Sequence, residues 1–460
     1  AMTRASSGPV VDSSTIALTL SYAGSLIDMM RESDVMTTNL QAVGESFNDT
    51  DIEARPAGRP LVVLVVPAES YRTPDFVLAA SALRTDLVVA SDGDVPMTDF
   101  GRSRTLTIDF DRPEWSAARI AGLPDRPDAV VAGDDRGVVI AAMASHLLGL
   151  DANPVSAVAL TRDKAHMRGL LQSASVPQPA FTTAGVGDVP RAASEIGYPC
   201  VVKPRSLSAG VGVIRIDSDS EARYAEGRIR RIIEDGGGDS DATLLVEAFV
   251  PGFEVAVEGL VVDGQVDVLA ILDKPDPLDG PFFEETIFVT PSRHPMSVQD
   301  EIAAVVSGSV KALGLVTGPI HAEVRCGEDG PVLIEISARS IGGLCGRALT
   351  FGLLGESLES LIIRSAIGSV VASTEVAATA TGVMMLPIPR SGTLERIDGV
   401  DDAAAVQGVT DIEQTISVGK PVVPLPEGDR YLGFIFAEGA TADEVELSLR
   451  TAADMLSVVI

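Results

Sequence analysis

Two glutamates, Glu323 in HAEVR and Glu335 in LIEISAR, sit in short apolar runs joined by the turn-like GEDGP. If the runs pair as a hairpin, the two carboxylates can lie side by side on one face. Facing carboxylates repel unless a cation lies between them, and Mg2+ takes carboxylate oxygens together with phosphate oxygens. Two solvent-facing acids on alternating strands fit the same spacing, so the pair by itself leaves both readings open. Arg339 continues the second run, and Ile341-Gly342-Gly343 comes after it. A guanidinium and backbone N–H groups beside such a pair suit developing negative charge.

Lys203 interrupts the apolar stretch PCVVKP, where an ammonium is costly unless it snorkels or meets an anion. Basic residues are mostly arginine, and the five lysines are Lys164, Lys203, Lys274, Lys311 and Lys420. A lysine beside glycines or carboxylates therefore hints that a compact ammonium is wanted. The loop that follows, Ser206–Gly212, is either a glycine-rich hairpin turn or a flap that closes over phosphates. Glu247 and Glu254 in VEAFVPGFEVAVEG are ordinary surface acids, or they flank a strand whose backbone pairs with an adenine edge while Glu254 holds ribose hydroxyls.

These residues need a scaffold. From Leu61 the pattern runs LVVLVV, PDFVLAASALRT, DLVVAS, and Asp128–Leu150 repeats strand then helix. This predicts a small doubly wound domain with a parallel sheet. Leu160–Phe181 reads as one helix ended by Ser175 and Pro177. The Lys203 hairpin, a helix over Glu221–Glu234 and the strand TLLVEAFV form a compact α+β unit. Past Pro251 the pattern is antiparallel, with two alternating strands turning at Asp263-Gly264, a helix over Val298–Leu313, and the strands of Glu323 and Glu335. A helix in SLESLIIRSAIG follows, and from about Ala380 a strand-rich unit ends in a last helix.

Composition narrows the partners. A chain of 460 residues, 46% hydrophobic, has room for two to four structural units. Sixty-five acidic against 35 basic residues give a formal charge of −30, which argues against nucleic acid and anionic membranes. No run of about 20 apolar residues lacks charges, so no membrane span is expected and a cytoplasmic location is. Cys200, Cys326 and Cys345 make no CxxC pair, and four scattered histidines give no zinc spacing. Cys345, in GGLCGR, reads as a buried thiol. AGVGVIR lacks the third glycine of a dinucleotide fingerprint and enters a strand, and no GxxxxGK[ST] exists.

The segments RDKAHMR, YPCVVKP with its flap, VEAFVPGFEVAVEG, LDKP with FFEETIFVTPSR, HAEV with LIEISARSIGG, and LPIP with RYLGFIFA occur in one order. With these, the chain from about Leu61 onward resembles the ATP-grasp carboxylate–amine ligases, especially the bacilysin-type L-amino acid ligases. The resemblance implies an α/β and α+β protein with an ATP-grasp fold. A doubly wound domain would span 60–155, and an ATP-grasp domain 156–379, with a lid subdomain at about 190–250. An α+β lobe would cover 380–460.

It further implies that Lys164 and Lys203 contact ATP phosphates, with Lys203 also near the adenine. The flap residues Ser206, Ser208, Ala209, Gly210, Val211 and Gly212 would close over the β- and γ-phosphates. Glu247, Phe249 and Val250 would lie along the adenine, Glu247 and Val250 through backbone atoms, and Glu254 would bind ribose. Glu323 and Glu335 would hold Mg2+, or Mn2+ in its place. Ser337 stands where the family has Asn as a further ligand; a hydroxyl is shorter and weaker, so coordination there would run through water. Arg339, with Gly342 and Gly343, would stabilise an acyl phosphate and a tetrahedral intermediate. Lys274 would lie near the phosphates and Glu285 near the ammonium of an amino-acid substrate.

The implied reaction activates a small carboxylate as an acyl phosphate and couples it to an amine, releasing ADP and phosphate, in specialised-metabolite biosynthesis. A carboxylase, a glycinamide-type ligase and a catalytically silent nucleotide-binding protein share the expected fold. Residues 1–59 have no counterpart in the resemblance and are expected to be a partly helical extension that makes a homodimer.

Overall fold

The computed structural model describes residues 58–95, 104–352, 355–369, 374 and 379–460. The expected N-terminal extension lies, up to residue 57, outside the described residues, as does its expected role in assembly.

Strands β1 (Leu61–Val65), β2 (Asp86–Ser91), β3 (Arg104–Thr107) and β4 (Ala129–Ala132) form a parallel sheet in the order β3-β2-β1-β4. Every residue of β1 is buried because both faces of the sheet are covered. Val62 and Leu64 share a core with Phe76 of α1 (Thr73–Ala82). Leu61, Val63 and Val65 pack instead with Ile120 of α2 (Pro113–Ala121) and Ile140 of α3 (Val138–Leu148). A continuous apolar run between two helical layers is what a doubly wound parallel sheet requires.

The single helix expected over Leu160–Phe181 is two helices. The first, α4 (Val155–Thr161), stops and α5 (Lys164–Ser173) restarts. Asp163 is the cause, since its carboxylate accepts from the backbone N–H groups of Ala165 and His166 and so caps a new helix. The restart sets the phase of α5, which buries Lys164, Met167, Arg168 and Leu171 at helical spacing.

Next comes a small antiparallel sheet in the order β5-β8-β6-β7, made of β5 (Phe181–Ala184), β6 (Cys200–Lys203), β7 (Ile214–Ile216) and β8 (Leu244–Ala248). Its apolar residues share a core with α6 (Val189–Ile196) and α7 (Asp219–Asp235).

The largest element is an eight-stranded antiparallel sheet. Its strands are β9 (Phe253–Val262), β10 (Gln265–Lys274), β11 (Ile287–Thr290), β12 (Gly318–Gly327), β13 (Gly330–Ser337), β14 (Ala380–Leu386), β15 (Val409–Gln414) and β16 (Gly433–Gly439). They lie in the order β13-β12-β9-β10-β11-β14-β16-β15. The C-terminal strands therefore extend the same sheet through the β11–β14 pair. β9 and β10 turn at Asp263-Gly264, both at positive φ (+49° and +74°), as a two-residue hairpin demands.

Alternation along the first strands of this sheet sorts the residues. Val255, Val257, Ala322 and Val324 pack against Ile302 and Val306 of α8 (Met296–Leu313). Their sequence neighbours Glu254, Glu258, His321, Glu323 and Arg325 point to the opposite face.

Gly252, beside the strand of Glu254, is held where a side chain cannot go. Gly252 has φ +116°, and a Cβ there would lie 2.0 Å from the Cys326 carbonyl oxygen. Gly187 also has positive φ (+79°) but open surroundings. Gly252→Ala is expected to cost well over ~2 kcal/mol and Gly187→Ala only ~1 kcal/mol in urea denaturation; equal losses would contradict this packing.

Candidate active site

Glu323 of β12 and Glu335 of β13 are direct cross-strand partners. The hairpin thus places both carboxylates on one face, and both line a cavity of about 730 Å3. A register shift between Glu323 and Val324 leaves Ile334 as the extra residue of a bulge. Without it, Leu333 and Glu335 would share a face; with it, Leu333 joins the apolar core while Glu335 faces the cavity.

Arg168, fully buried, holds that bulge by donating to the carbonyls of Leu333 (3.0 Å) and Ile334 (2.6 Å). Its Nε also donates to Glu247 Oε1 at 2.6 Å, and Lys203 Nζ lies 2.7 Å from Glu247 Oε2. Lys203 and Glu247 are diagonal neighbours on the small sheet, which puts them on one face. Burial pushes the Glu247 carboxyl up, but Arg168 and Lys203 outweigh it and hold it at about 2. Lys203 therefore meets an anion, as a buried ammonium must.

The same face of the large sheet carries a second charged group. Carboxylate oxygens of Glu254, Glu285 and Glu323 lie within 4.8 Å of one another. Lys274 Nζ stands 2.7 Å from Glu254 and 3.7 Å from Glu323, and also contacts Glu285. Burial disfavours the Lys274 ammonium, but the three carboxylates win and raise its pKa well above the ordinary value. His321 Nδ1 sits 2.6 Å from Glu258, whose other oxygen accepts from the Ile341 N–H. Burial lowers the imidazole pKa, yet Glu258 outweighs it and pushes it up to about 9, so His321 is a cation beside Glu323 at neutral pH.

Arg339 also lines the cavity and is held by two contacts. Its Nη2 donates to Asp135 at 2.6 Å and its Nη1 to the Ser340 carbonyl. Burial disfavours the guanidinium charge, but Asp135 dominates and keeps it charged. Asp135 follows β4 at the carboxyl edge of the parallel sheet, where ligands of such sheets gather.

Of the residues singled out by sequence, Lys203, Ser206, Ser208, Ala209, Gly210, Val211, Glu247, Phe249, Val250, Glu254, Glu285, Glu323, Glu335, Ser337, Arg339, Gly342 and Gly343 all line this one cavity. Lys164, Lys274 and Gly212 stand behind its wall. Lys164 Nζ is 3.1 Å from Glu335, and the Gly212 N–H donates to the Pro426 carbonyl. Glu247 and Glu254 are buried, so neither is a surface acid. Cys345 is buried and free, and burial pushes its thiol far up. Sequence reasoning missed Asp135, Arg162, Arg168 and His321. The last three stood in quoted motifs; the signal for Asp135 was its place just past a parallel strand. As donors, Glu323 and Glu335 fit a hard divalent cation, being facing carboxylates on a shared cavity wall.

An ATP-grasp domain profile matches residues 196–348, and an L-amino acid ligase C-terminal domain profile matches residues 384–460. An uncharacterized protein of Sinorhizobium fredii is 29% identical over 304 residues, 64% of this chain and 60% of its own length. The alanine–anticapsin ligase of Bacillus subtilis is 28% identical over 258 residues, 51% of this chain and 53% of its own. The chain thus spans little more than half the length of these curated relatives. Among solved structures, an L-amino acid ligase from Bacillus licheniformis superimposes with a TM-score of 0.72 at 24% identity, covering 88% of this chain and 99% of that one. The chain therefore carries an ATP-grasp domain over residues 196–348 and an L-amino acid ligase C-terminal domain over residues 384–460.

The Arg168–Glu247–Lys203 group carries a pH signature. Glu247 titrates at about 2 in the folded chain against an ordinary value of 4.5. Its contribution is therefore complete above pH 4.5 and is lost as pH falls through 2. At neutral pH Glu247→Gln is expected to lose ~3 kcal/mol, because it leaves buried cations unpaired. In urea titrations the gap to wild type should narrow below pH 4.5; a gap independent of pH would contradict the pairing.

Proposed function

We propose that this protein is an ATP-dependent carboxylate–amine ligase that joins an amino acid to an amine through an acyl phosphate. The single observation that carries the reading is the facing pair Glu323–Glu335 on one cavity with Lys203, the flap and Arg339. The C-terminal domain match supports an amino-acid substrate over a carboxylase or glycinamide-type reaction. A silent nucleotide-binding protein would have no need of Arg339 on the cavity.

A carboxylate is a poor acylating agent. In the proposed reaction its oxygen attacks the γ-phosphorus of ATP and ADP departs; the amine nitrogen then attacks the acyl carbon and phosphate departs. Lys203 and Lys164 offset phosphate charge, and the Ser206–Gly212 flap covers the β- and γ-phosphates with its N–H groups. Glu247 and Val250 align the adenine through backbone atoms beside Phe249, and Glu254 takes the ribose. Glu323 and Glu335, with Ser337 beside them, would hold Mg2+ (or Mn2+), which supplies charge neutralisation on phosphate oxygens. Glu285 faces the amino-acid ammonium, and Lys274, behind the wall, lies toward the phosphates. Arg339, with the N–H groups of Gly342 and Gly343, stabilises the oxyanion as the amine adds. A closed flap keeps water from hydrolysing the acyl phosphate.

Among the described residues no helix is long and apolar enough to cross a membrane. Together with three buried free thiols this supports a cytoplasmic enzyme acting on small molecules, in specialised-metabolite biosynthesis. The division of the chain near residues 60, 156 and 380 is part of the proposal.

The test is a screen of amino acids in pairs, read by phosphate release and by mass spectrometry of the product. Wild type should give an amide with at least one pair. Glu335→Ala should lower turnover at least ~100-fold while remaining folded at the assay temperature; wild-type-like turnover in that variant would refute the carboxylate assignment.

A further inference from the structure

Of the three residues between α4 and the interior of α5, Arg162 and Lys164 grip the flap and Asp163 holds Arg205 just before it. Arg162 donates from Nη1 to Ser208 Oγ at 2.9 Å and from Nη2 to the Ser206 carbonyl at 3.1 Å. Asp163 accepts from Arg205 Nε at 3.1 Å, and Lys164 donates to the Leu207 carbonyl at 2.6 Å. Two of these side chains also reach away from the flap. Lys164 meets Glu335 at 3.1 Å, and Arg162 Nη1 lies 3.5 Å from Asp135 Oδ1. The other oxygen of Asp135 is the one that holds Arg339. Asp135 is only 6% exposed, and its Oδ1 has no hydrogen-bond partner.

We propose that Asp135 and Arg162 are positioning residues that couple the seating of the flap to the electrostatics of Arg339. This rests on the ligase reading above. One buried carboxylate stands between two guanidiniums, and in a poorly hydrated site neither ion pair is screened. With the flap seated, Arg162 is held by Ser206 and Ser208 against Oδ1, so two cations share one anion. The excess positive charge is then available to an oxyanion beside Arg339. When the flap lifts, Arg162 loses its two flap acceptors and is no longer fixed at Oδ1. Asp135 then neutralises Arg339 alone, and the site loses its surplus charge. Assistance to amine attack is thereby confined to the state in which the flap excludes water.

Breaking the relay should uncouple the reaction. Water adds to the acyl carbon, phosphate leaves, the acid is regenerated and a proton goes to solution, so phosphate appears without amide. The experiment measures phosphate and amide together for wild type, Asp135→Asn, Arg162→Gln and the double variant, with melting temperatures and the KM for ATP. Wild type should release about one phosphate per amide. Each single variant should form amide roughly 10- to 100-fold more slowly and release several phosphates per amide. The KM for ATP should move less than about threefold. The double variant should be no worse than the worse single, because both act through one chain of contacts.

A ratio that stays at one, or a tenfold rise in KM for ATP with additive losses, would overturn the relay. If Asp135→Asn fails to fold, Arg162→Gln decides the question alone, since that side chain is 23% exposed. Wild type that releases no amine-dependent phosphate with any amino-acid pair would refute the ligase reading, and the relay with it.

Discussion

Arg168 carries a charged guanidinium at zero exposure, and a buried cation is tolerable only if every neighbour is in place. From α5 it reaches acceptors on two other elements: Glu247 on the small sheet, and the Leu333 and Ile334 carbonyls at the β13 bulge. Satisfying this one side chain therefore joins the small sheet to the large one. It also fixes the bulge that turns Glu335 toward the cavity. Lys164, one helical turn earlier on α5, then falls beside Glu335 and under the flap.

The remaining constraint is charge balance on a crowded polar face. Glu254, Glu258, Glu323 and Glu335 project from neighbouring strands in a chain of formal charge −30. Each has a cation within reach: Lys274 and Arg325 for Glu254, His321 for Glu258 and Glu323, and Lys164 for Glu335. Glu285 adds a further carboxylate, and burial raises its pKa against the pull of Lys274. On a face so arranged the carboxylates are balanced by cations already ordered beside them.

Much of this was legible in the amino acids. The turn GEDGP between two apolar runs suffices to pair Glu323 with Glu335, and Asp263-Gly264 suffices for the β9–β10 hairpin. A lysine amid PCVVKP announces a buried anion, though not that the anion is Glu247. The bulge at Ile334 was not legible, since simple alternation puts Leu333 and Glu335 on the same face and only Arg168 shows why it fails. The break at Asp163 had a local cause, a capping carboxylate, that the apolar periodicity of Leu160–Phe181 concealed. Asp135 lies 204 positions from Arg339, and no local pattern links residues that only tertiary packing brings together.

In the proposed reaction a substrate carboxylate is phosphorylated before the amine attacks. The most direct measurement uses an amino-acid donor labelled with 18O in its carboxylate, at a pair that supports turnover, with mass analysis of the phosphate released. One 18O atom is expected in each phosphate, carried over when the acyl–oxygen bond breaks, with ADP as the nucleotide product. Unlabelled phosphate, or release of AMP and pyrophosphate, would contradict it.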